Sequence, residues 1–373
     1  MHEIWNDMPQ KIVMDTKDIG EMNVLANTMI DRVKIYKPDD IYLECLEVTD
    51  LNINSIYNFL LRNYTNYRGR LNVYSKTLLK FYFTIHKSIL LVLKDQNKKI
   101  IAFISGVFKP LCYKNLGLKI YEKIAYVNFL CISNDYRHLY IAPYLITQLW
   151  HFVNMKGGTI SIFHTQTKLP KPISVNKYYS RPINIDKLIK AKVFETPKEN
   201  VSNFITNLKI RYVCNINNSQ LIECNDIDSG KICRLLNKFK QKNYIIFNTC
   251  TKKYIKQLIK NPDFISLKIN NKNKICAYID LYIIKEISGQ VYNNAYVHNY
   301  FYPSNWNLDD KYIFLESVVY FLKMKNVDIL TVPDHYMDLQ NKNIYLKDFN
   351  IKTHIFNYKM TSIPERKNGI QIF

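Results

Sequence analysis

The apolar run at residues 124–132, IAYVNFLCI, is nearly unbroken and predicts a strand covered on both faces, because such strands show no polar alternation. Ser133, Asn134 and Asp135 then suit a strand-to-helix turn and its cap. Ile141, Leu145, Leu149 and Val153 recur every four residues and predict a helix, with Pro143 tolerated in its first turn. Gly157 and Gly158 stop that helix, and TISIFHT (159–165) resumes as a strand. The unit points a helix N-terminus out of a sheet edge, where free amides and the helix dipole can hold an anion such as a phosphate. An ordinary α/β crossover has the same outline.

Residues 1–20 read as a polar, extended arm with Trp5 as a docking anchor. Helical spacing follows within 50–85, then a hairpin of 88–95 and 100–108, with a plain connection from there to Ile124. LPKP (169–172) ends regular structure, and 184–194 looks helical. The polar segments 196–203 and 209–220 flank the best boundary candidate, dividing the chain into 1–208 and 209–373. Beyond it the pattern predicts helices over 226–241 and 251–259, a hairpin of 264–270 and 275–284, and a strand over 294–302. An amphipathic helix over 312–325 and a strand over 327–333 complete the series. Helices, hairpin, strand, helix, strand thus occur twice, which predicts a duplicated α/β fold with a mixed sheet.

Composition narrows the function classes. A chain of 373 residues is too long for one ordinary core. No apolar run is long enough for a membrane span, and MHEIWNDMPQ lacks the basic start and apolar core of a signal peptide. A cytoplasmic protein without stable membrane insertion is expected. Eight cysteines without a C-x-x-C pair fit reduced thiols, and the eight histidines form no ligand cluster, so no metal is expected. The net charge of +21 is spread among Asn, Ile and Tyr without long basic runs or a zinc-finger or RNP-like motif. Nucleic acid is therefore not expected as a partner, while a mild positive field can steer a polyanionic cofactor.

The motifs then become specific. VNFLCI (127–132), followed by Arg137 and Ile141-Ala142-Pro143, resembles the N-myristoyltransferase pattern of NFLC[VI], a basic R-S-K-R loop and [VL]-A-P. FISGVF (103–108) resembles the family's G-F-I-S-A-I, and LPKP (169–172) its L-P-x-P. YYSRPIN (178–184) resembles Y-W-H-R-S-L-N, LKMKNVDIL (322–330) resembles A-K-M-K-G-F-D-V-F, and NYK (357–359) resembles Y-N-W-K. From that lysine to the last residue the spacing is the family's. The resemblance runs in one order from about residue 4 to residue 373.

The resemblance implies an α/β fold of two tandem GNAT-like halves forming a mixed, saddle-shaped sheet with surrounding helices. The first half (1–208) would bind the co-substrate myristoyl-CoA. The second (209–373) would shape a peptide groove, with the C-terminal tail returning to the active site. The implied reaction is transfer of myristate to the α-amine of N-terminal-glycine proteins or peptides by a monomer. It implies an oxyanion hole from the backbone N–H groups of Phe129 and Leu130, and a base from the terminal carboxylate of Phe373. Acyl-CoA contacts fall on His2, Glu3, Ile4 and Trp5 of the arm (HEIW against the family's H-K-F-W), and on Phe129, Leu130, Cys131 and Ile132. Contacts to the phosphates fall on Arg137, His138, Leu139, Tyr140, Ile141 and Ala142. Only Arg137 of the basic loop survives, so backbone amides carry the phosphate contacts. On the acceptor side the implied residues are Asn128, His164 and Tyr178. His164 stands where the family has the threonine of T-A-G, and satisfies a local hydrogen bond or acts as a second proton acceptor. The family's acidic run is replaced by TNYRG (65–69), which would repel a basic peptide. Two other readings stay open: a non-catalytic acyl-CoA or lipopeptide binding protein of the same fold, and a GNAT-type acyltransferase with another acyl chain or amine.

Overall fold

A computed structural model describes residues 23–24, 40–65, 69–114, 118–139, 141–166, 169, 172–193, 206, 208, 220–272, 274–336, 344–356, 358–359, 362–364 and 366–370. The strands before residue 208 are β1 (Asn23–Val24), β2 (Tyr42–Leu46), β3 (Leu71–Val73), β4 (Ser88–Lys94), β5 (Ile100–Lys114), β6 (Leu118–Ile132), β7 (Ile160–Thr165) and β8 (Ser174–Pro182). After it come β9 (Leu221–Glu223), β10 (Ile246–Asn248), β11 (Phe264–Asn271), β12 (Lys274–Ser288), β13 (Gln290–Phe301), β14 (Ile329–Pro333), β15 (Leu346–Phe356), β16 (Tyr358–Lys359) and β17 (Asn368–Gly369). All but β1 and β16, which pair with each other, join one mixed sheet.

The predicted duplication is present. β4, β5 and β6 run antiparallel and β6 lies parallel to β7; β11, β12 and β13 run antiparallel and β13 lies parallel to β14. A right-handed crossover needs a helix between parallel neighbours, and Ala142–Met155 and Leu308–Met324 supply them. The strands also cross the midpoint of the chain. β15 pairs with β7, β8 with β14, β10 with β5 and β3 with β12, so each stretch completes the sheet of the other.

The unbroken apolar run of β6 has its predicted cause. On one face, Ile56, Phe59, Leu78, Leu79 and Phe83 from helices Asp50–Asn63 and Lys76–Thr84 form a core with Phe103 and Phe129. On the other, Leu145, Leu149, Trp150 and Val153 of helix Ala142–Met155 pack on Ile104 and Ala125. Gly106 permits that approach: a Cβ there would stand 3.2 Å from Leu149 Cδ1. Thr49 and Ser75 cap the first two helices, their hydroxyls accepting from the N–H groups of Asn52 and Leu78.

Several expectations need correction. Ser133, Asn134 and Asp135 do not cap the long helix. A 3-10 helix, Asn134–Leu139, intervenes, and the α-helix starts at Ala142 after Ile141, which offers no side-chain cap. Of the supposed connection, residues 109–114 and 118–123 are strand: β5 runs on to Lys114 because Leu111, Cys112 and Tyr113 pair with β10 and stay buried. The helix expected over 184–194 is Ile185–Lys190, closed where Lys192 turns to φ 53°. β15 was not anticipated. The arm 1–20 and nearly all of the boundary segments lie outside the described residues. Among the described residues no helix is long and apolar enough to cross a membrane.

Candidate active site

The site begins with a break in strand register. Across β5 and β6, Phe103 pairs with Cys131 and Ser105 with Asn128, so Phe129 and Leu130 together oppose the single residue Ile104. This is a β-bulge, which turns backbone groups out of the ladder. Phe129 pays for the turn with φ 57°, unusual for a residue with a Cβ. Packing holds it there: the ring is 1% exposed, with centroids 5.0–6.4 Å from the rings of Tyr64, Tyr74, Tyr82, Phe83 and Phe103. On the other side, β7 pairs with β6 only from Ile124 to Val127. From Asn128 onward the β6–β7 ladder ends, and the bulge of Phe129 and Leu130 falls just beyond that point.

Around this bulge, Asn128 Oδ1 accepts from the Phe129 N–H at 2.9 Å, and Ser105 Oγ donates to the Asn128 carbonyl at 3.1 Å. Leu130 is 40% exposed. Cys131 is buried and its thiol is pushed up to about 12 by burial, which suits a packing role and not a nucleophile. After Ile132, Arg137 and His138 are exposed on the 3-10 helix, and Arg137 Nε donates to the Ile132 carbonyl at 3.2 Å. Leu139 is half-buried, Ile141 is fully buried and Ala142 opens the long helix, whose N-terminal amides follow the bulge along the chain. Tyr140 and the arm residues His2, Glu3, Ile4 and Trp5 lie outside the described residues.

The second half repeats the device. β13 and β14 pair from Asn294 to Tyr296 and then part. A bulge falls there too: Leu281 pairs with Val297 and Asp280 with Asn299, leaving His298 as the extra residue. Beyond it opens a narrow cleft, partly open to solvent, lined by Tyr178, Tyr282, Tyr296, Tyr300, His298, Lys240 and others. Tyr178 stacks on Phe349 with centroids 5.0 Å apart. His298 is held neutral, first by burial and then by the charges of Lys109 and Lys240, and bonds Tyr254 Oη at 2.6 Å.

Residues near the end of the chain reach this cleft. β17 pairs in parallel with β10, and Gly369 and Ile370 line the opening. Asn368, fully buried, donates from Nδ2 to Thr353 Oγ1 at 3.0 Å, and its Oδ1 accepts from the Ile370 N–H at 3.0 Å. Thr353 Oγ1 lies 3.2 Å from His164 Nδ1, so His164 belongs to the network under the tail. Phe373 lies outside the described residues.

The structure therefore brings Phe129, Leu130 and Asn128 to one bulge, and Tyr178 to the cleft with Gly369 and Ile370. Sequence reasoning missed the buried polar groups behind them. Lys240 donates to Asn299 Oδ1 at 2.8 Å and to the Asn248 carbonyl at 3.2 Å. Asp280 accepts from Tyr278 Oη and Asn299, and burial pushes its carboxyl up to about 7. One signal for Lys240 was available: Ile232, Leu236 and Lys240 recur every four residues, so the lysine falls on an apolar helix face.

A sheet whose parallel strands separate beside a helix N-terminus, built twice in one chain, makes the fold GNAT-like. The family model for "Myristoyl-CoA:protein N-myristoyltransferase, N-terminal domain" matches residues 26–176. A glycylpeptide N-tetradecanoyltransferase of Plasmodium falciparum is 26% identical across 99% of this chain and 93% of its own. A putative glycylpeptide N-tetradecanoyltransferase of Amsacta moorei entomopoxvirus is 28% identical across 88% and 98%. The crystal structure of Saccharomyces cerevisiae N-myristoyltransferase with bound myristoyl-CoA shares the fold with a TM-score of 0.81, at 15% identity, over 97% of this chain and 93% of that one. Over residues 26–176 the chain thus matches the N-myristoyltransferase family model, and its likeness to the two glycylpeptide N-tetradecanoyltransferases runs along most of its length.

Proposed function

We propose that this protein transfers myristate from myristoyl-CoA to the α-amine of an N-terminal glycine, as a cytoplasmic monomer. Residues 1–208 hold the acyl-CoA, and residues 209–373 shape the acceptor groove. The observation that carries the mechanism is the Phe129–Leu130 bulge where β6 leaves β7, together with a cleft lined by Gly369 and Ile370 near the chain end. The thioester carbonyl enters beside the bulge, and the two amides donate to the oxygen as it gains negative charge. Such donors are each worth about 3–4 kcal/mol when preorganised. Because Asn128 Oδ1 occupies the Phe129 N–H, its carboxamide turns aside as the oxyanion takes its place, and is then set to orient the incoming amine.

An N-terminal ammonium has a pKa of about 7.7–8.0, so a base must take one proton before attack. The terminal carboxylate of Phe373 is that base. It follows the docked Ile370 by three residues, within about 10 Å of extended chain. The carbon–nitrogen bond then forms, the carbon–sulfur bond breaks, and CoA leaves with the sulfur's electron pair, taking up the second proton that the nitrogen sheds as it becomes an amide. For CoA phosphates the donors are the amides of residues 138–142, with Arg137 alongside; Cys131, Ile132 and the arm residues 2–5 line the remainder.

Incubation with myristoyl-CoA and a broad panel of glycine-first peptides should release CoA and yield acylated peptide. An alanine-first control should stay unmodified. No acylated product anywhere in the panel would refute the proposal.

A further inference from the structure

Lys109 sits on β5 beside Ile124 of β6, 8% exposed. Its ammonium lies 4.8 Å from the centroid of Tyr82 and 5.4 Å from that of Tyr126, between two aromatic faces. The other lysines buried to this degree are compensated by polar groups. Lys268 pairs with Asp228 at 2.6 Å, and Lys240 donates to Asn299, Asn248 and Cys250. Among the described residues no carboxylate pairs with Lys109. A buried cation without an anion is costly, and here it stands next to the site. Tyr82 bonds the Asn128 side chain and its ring lies 5.8 Å from that of Phe129. Lys240 and His298, whose charges or rings feel Lys109, both line the acceptor cleft, and that lining holds no aspartate or glutamate.

We propose that Lys109 is a specificity residue of the acceptor site, matched by a carboxylate side chain carried within the first few residues after the substrate's glycine. The proposal rests on the acyltransfer reading above and names the peptide class that reading leaves open. Its arithmetic is that of complementary charge: an acidic acceptor supplies a side-chain counter-ion, and a lysine-bearing acceptor adds a further cation to a cleft whose described lining holds no aspartate or glutamate. A pH signature follows. Burial, reinforced by Lys240 and opposed by Cys250, pulls the Lys109 ammonium down to about 7. The groups facing it are Tyr82, Tyr126, Lys240 and Cys250, with His86 and His298 in its field. Docking a carboxylate keeps Lys109 protonated, so the acidic preference is greatest below that pH and fades above it.

The test compares kcat/KM for glycine-first peptides that differ only by Asp, Asn or Lys at each of the next few positions. The Asp/Asn ratio cancels the shared titration of the α-amine. At one position or more, Asp should exceed Asn by about tenfold, as a charge-assisted hydrogen bond implies, and Lys should fall below Asn. K109M should bring the Asp/Asn ratio to one, whatever its absolute rates, and K109R should keep the ratio while removing its decline above neutral pH. A wild-type ratio of one at every position, or a ratio that survives in K109M, overturns the proposal. Failure to acylate any peptide overturns the acyltransfer reading instead.

Discussion

Replacing Gly369 with alanine tests the role of the tail without touching any side chain of the bulge. A Cβ at Gly369 would collide with Tyr244 Cδ2 and lie 2.7 Å from Cγ and 2.8 Å from Cε2. The ring cannot readily move: Tyr244 is 5% exposed, its hydroxyl is 2.6 Å from that of Tyr300, and Phe239 and His335 pack edge-on to it. The tail must yield instead. Overpacking of this kind costs about 1–3 kcal/mol. Charged to the docking of β17 on β10, that lowers the docked population roughly 5- to 150-fold, taking about 1.4 kcal/mol per tenfold. If the chain end supplies the base, kcat falls by a comparable factor while the dissociation constant for acyl-CoA, measured by calorimetry, stays within about twofold. Tyr244→Leu in the same chain should recover part of the loss by clearing the space. Turnover of G369A near the wild-type rate would refute the reasoning, and so would a parallel loss of acyl-CoA binding.

Two further outcomes concern stability. Arg181, 1% exposed, binds both carboxylate oxygens of Glu316 at 3.1 and 3.2 Å and donates to the Pro182 and Leu208 carbonyls. Arg181→Met should therefore cost about 3–5 kcal/mol in urea unfolding, and R181M/E316M should cost less than the sum of the single changes; additive losses would show that the pair is not coupled. Burial holds His354 neutral down to about 4 and His335 down to about 3, against 6.5 for an unhindered imidazole. Between pH 6.5 and 4 the unfolded chain binds protons that the folded one does not, so stability falls as pH drops through that window, by up to about 1.4 kcal/mol per pH unit for each histidine. His354→Phe, which keeps a ring 5.0 Å from Phe163, should flatten that slope; an unchanged slope would exclude this imidazole as its source.

What the sequence made legible is what periodicity records. Ile141, Leu145, Leu149 and Val153 are all buried on one helix face, and the duplicated order of elements is present. Periodicity does not record register. Nothing in NFLC announces that Phe129 takes a left-handed backbone, because glycine is the usual marker and here the aromatic core supplies the constraint. The matching bulge at His298 was equally silent. β15 escaped notice because KDFNIKTHIF mixes charged and apolar residues, and its place between β7 and β8 is set by long-range pairing. Arg137 was singled out by resemblance, and the structure shows it turned back onto the Ile132 carbonyl. Lys109 was passed over within FISGVFKP because a lysine at a strand end normally reaches solvent, and this one is covered by two tyrosines.

The packing of Phe129 has a consequence for motion. Catalytic groups are often carried on lids and loops, among the least protected parts of a chain. Here the backbone proposed to receive the oxyanion is pinned by a ring at the centre of an aromatic core. Heating should then leave the chemical step intact until the core itself melts, and agitation in this enzyme should be confined to the elements that admit and release its substrates.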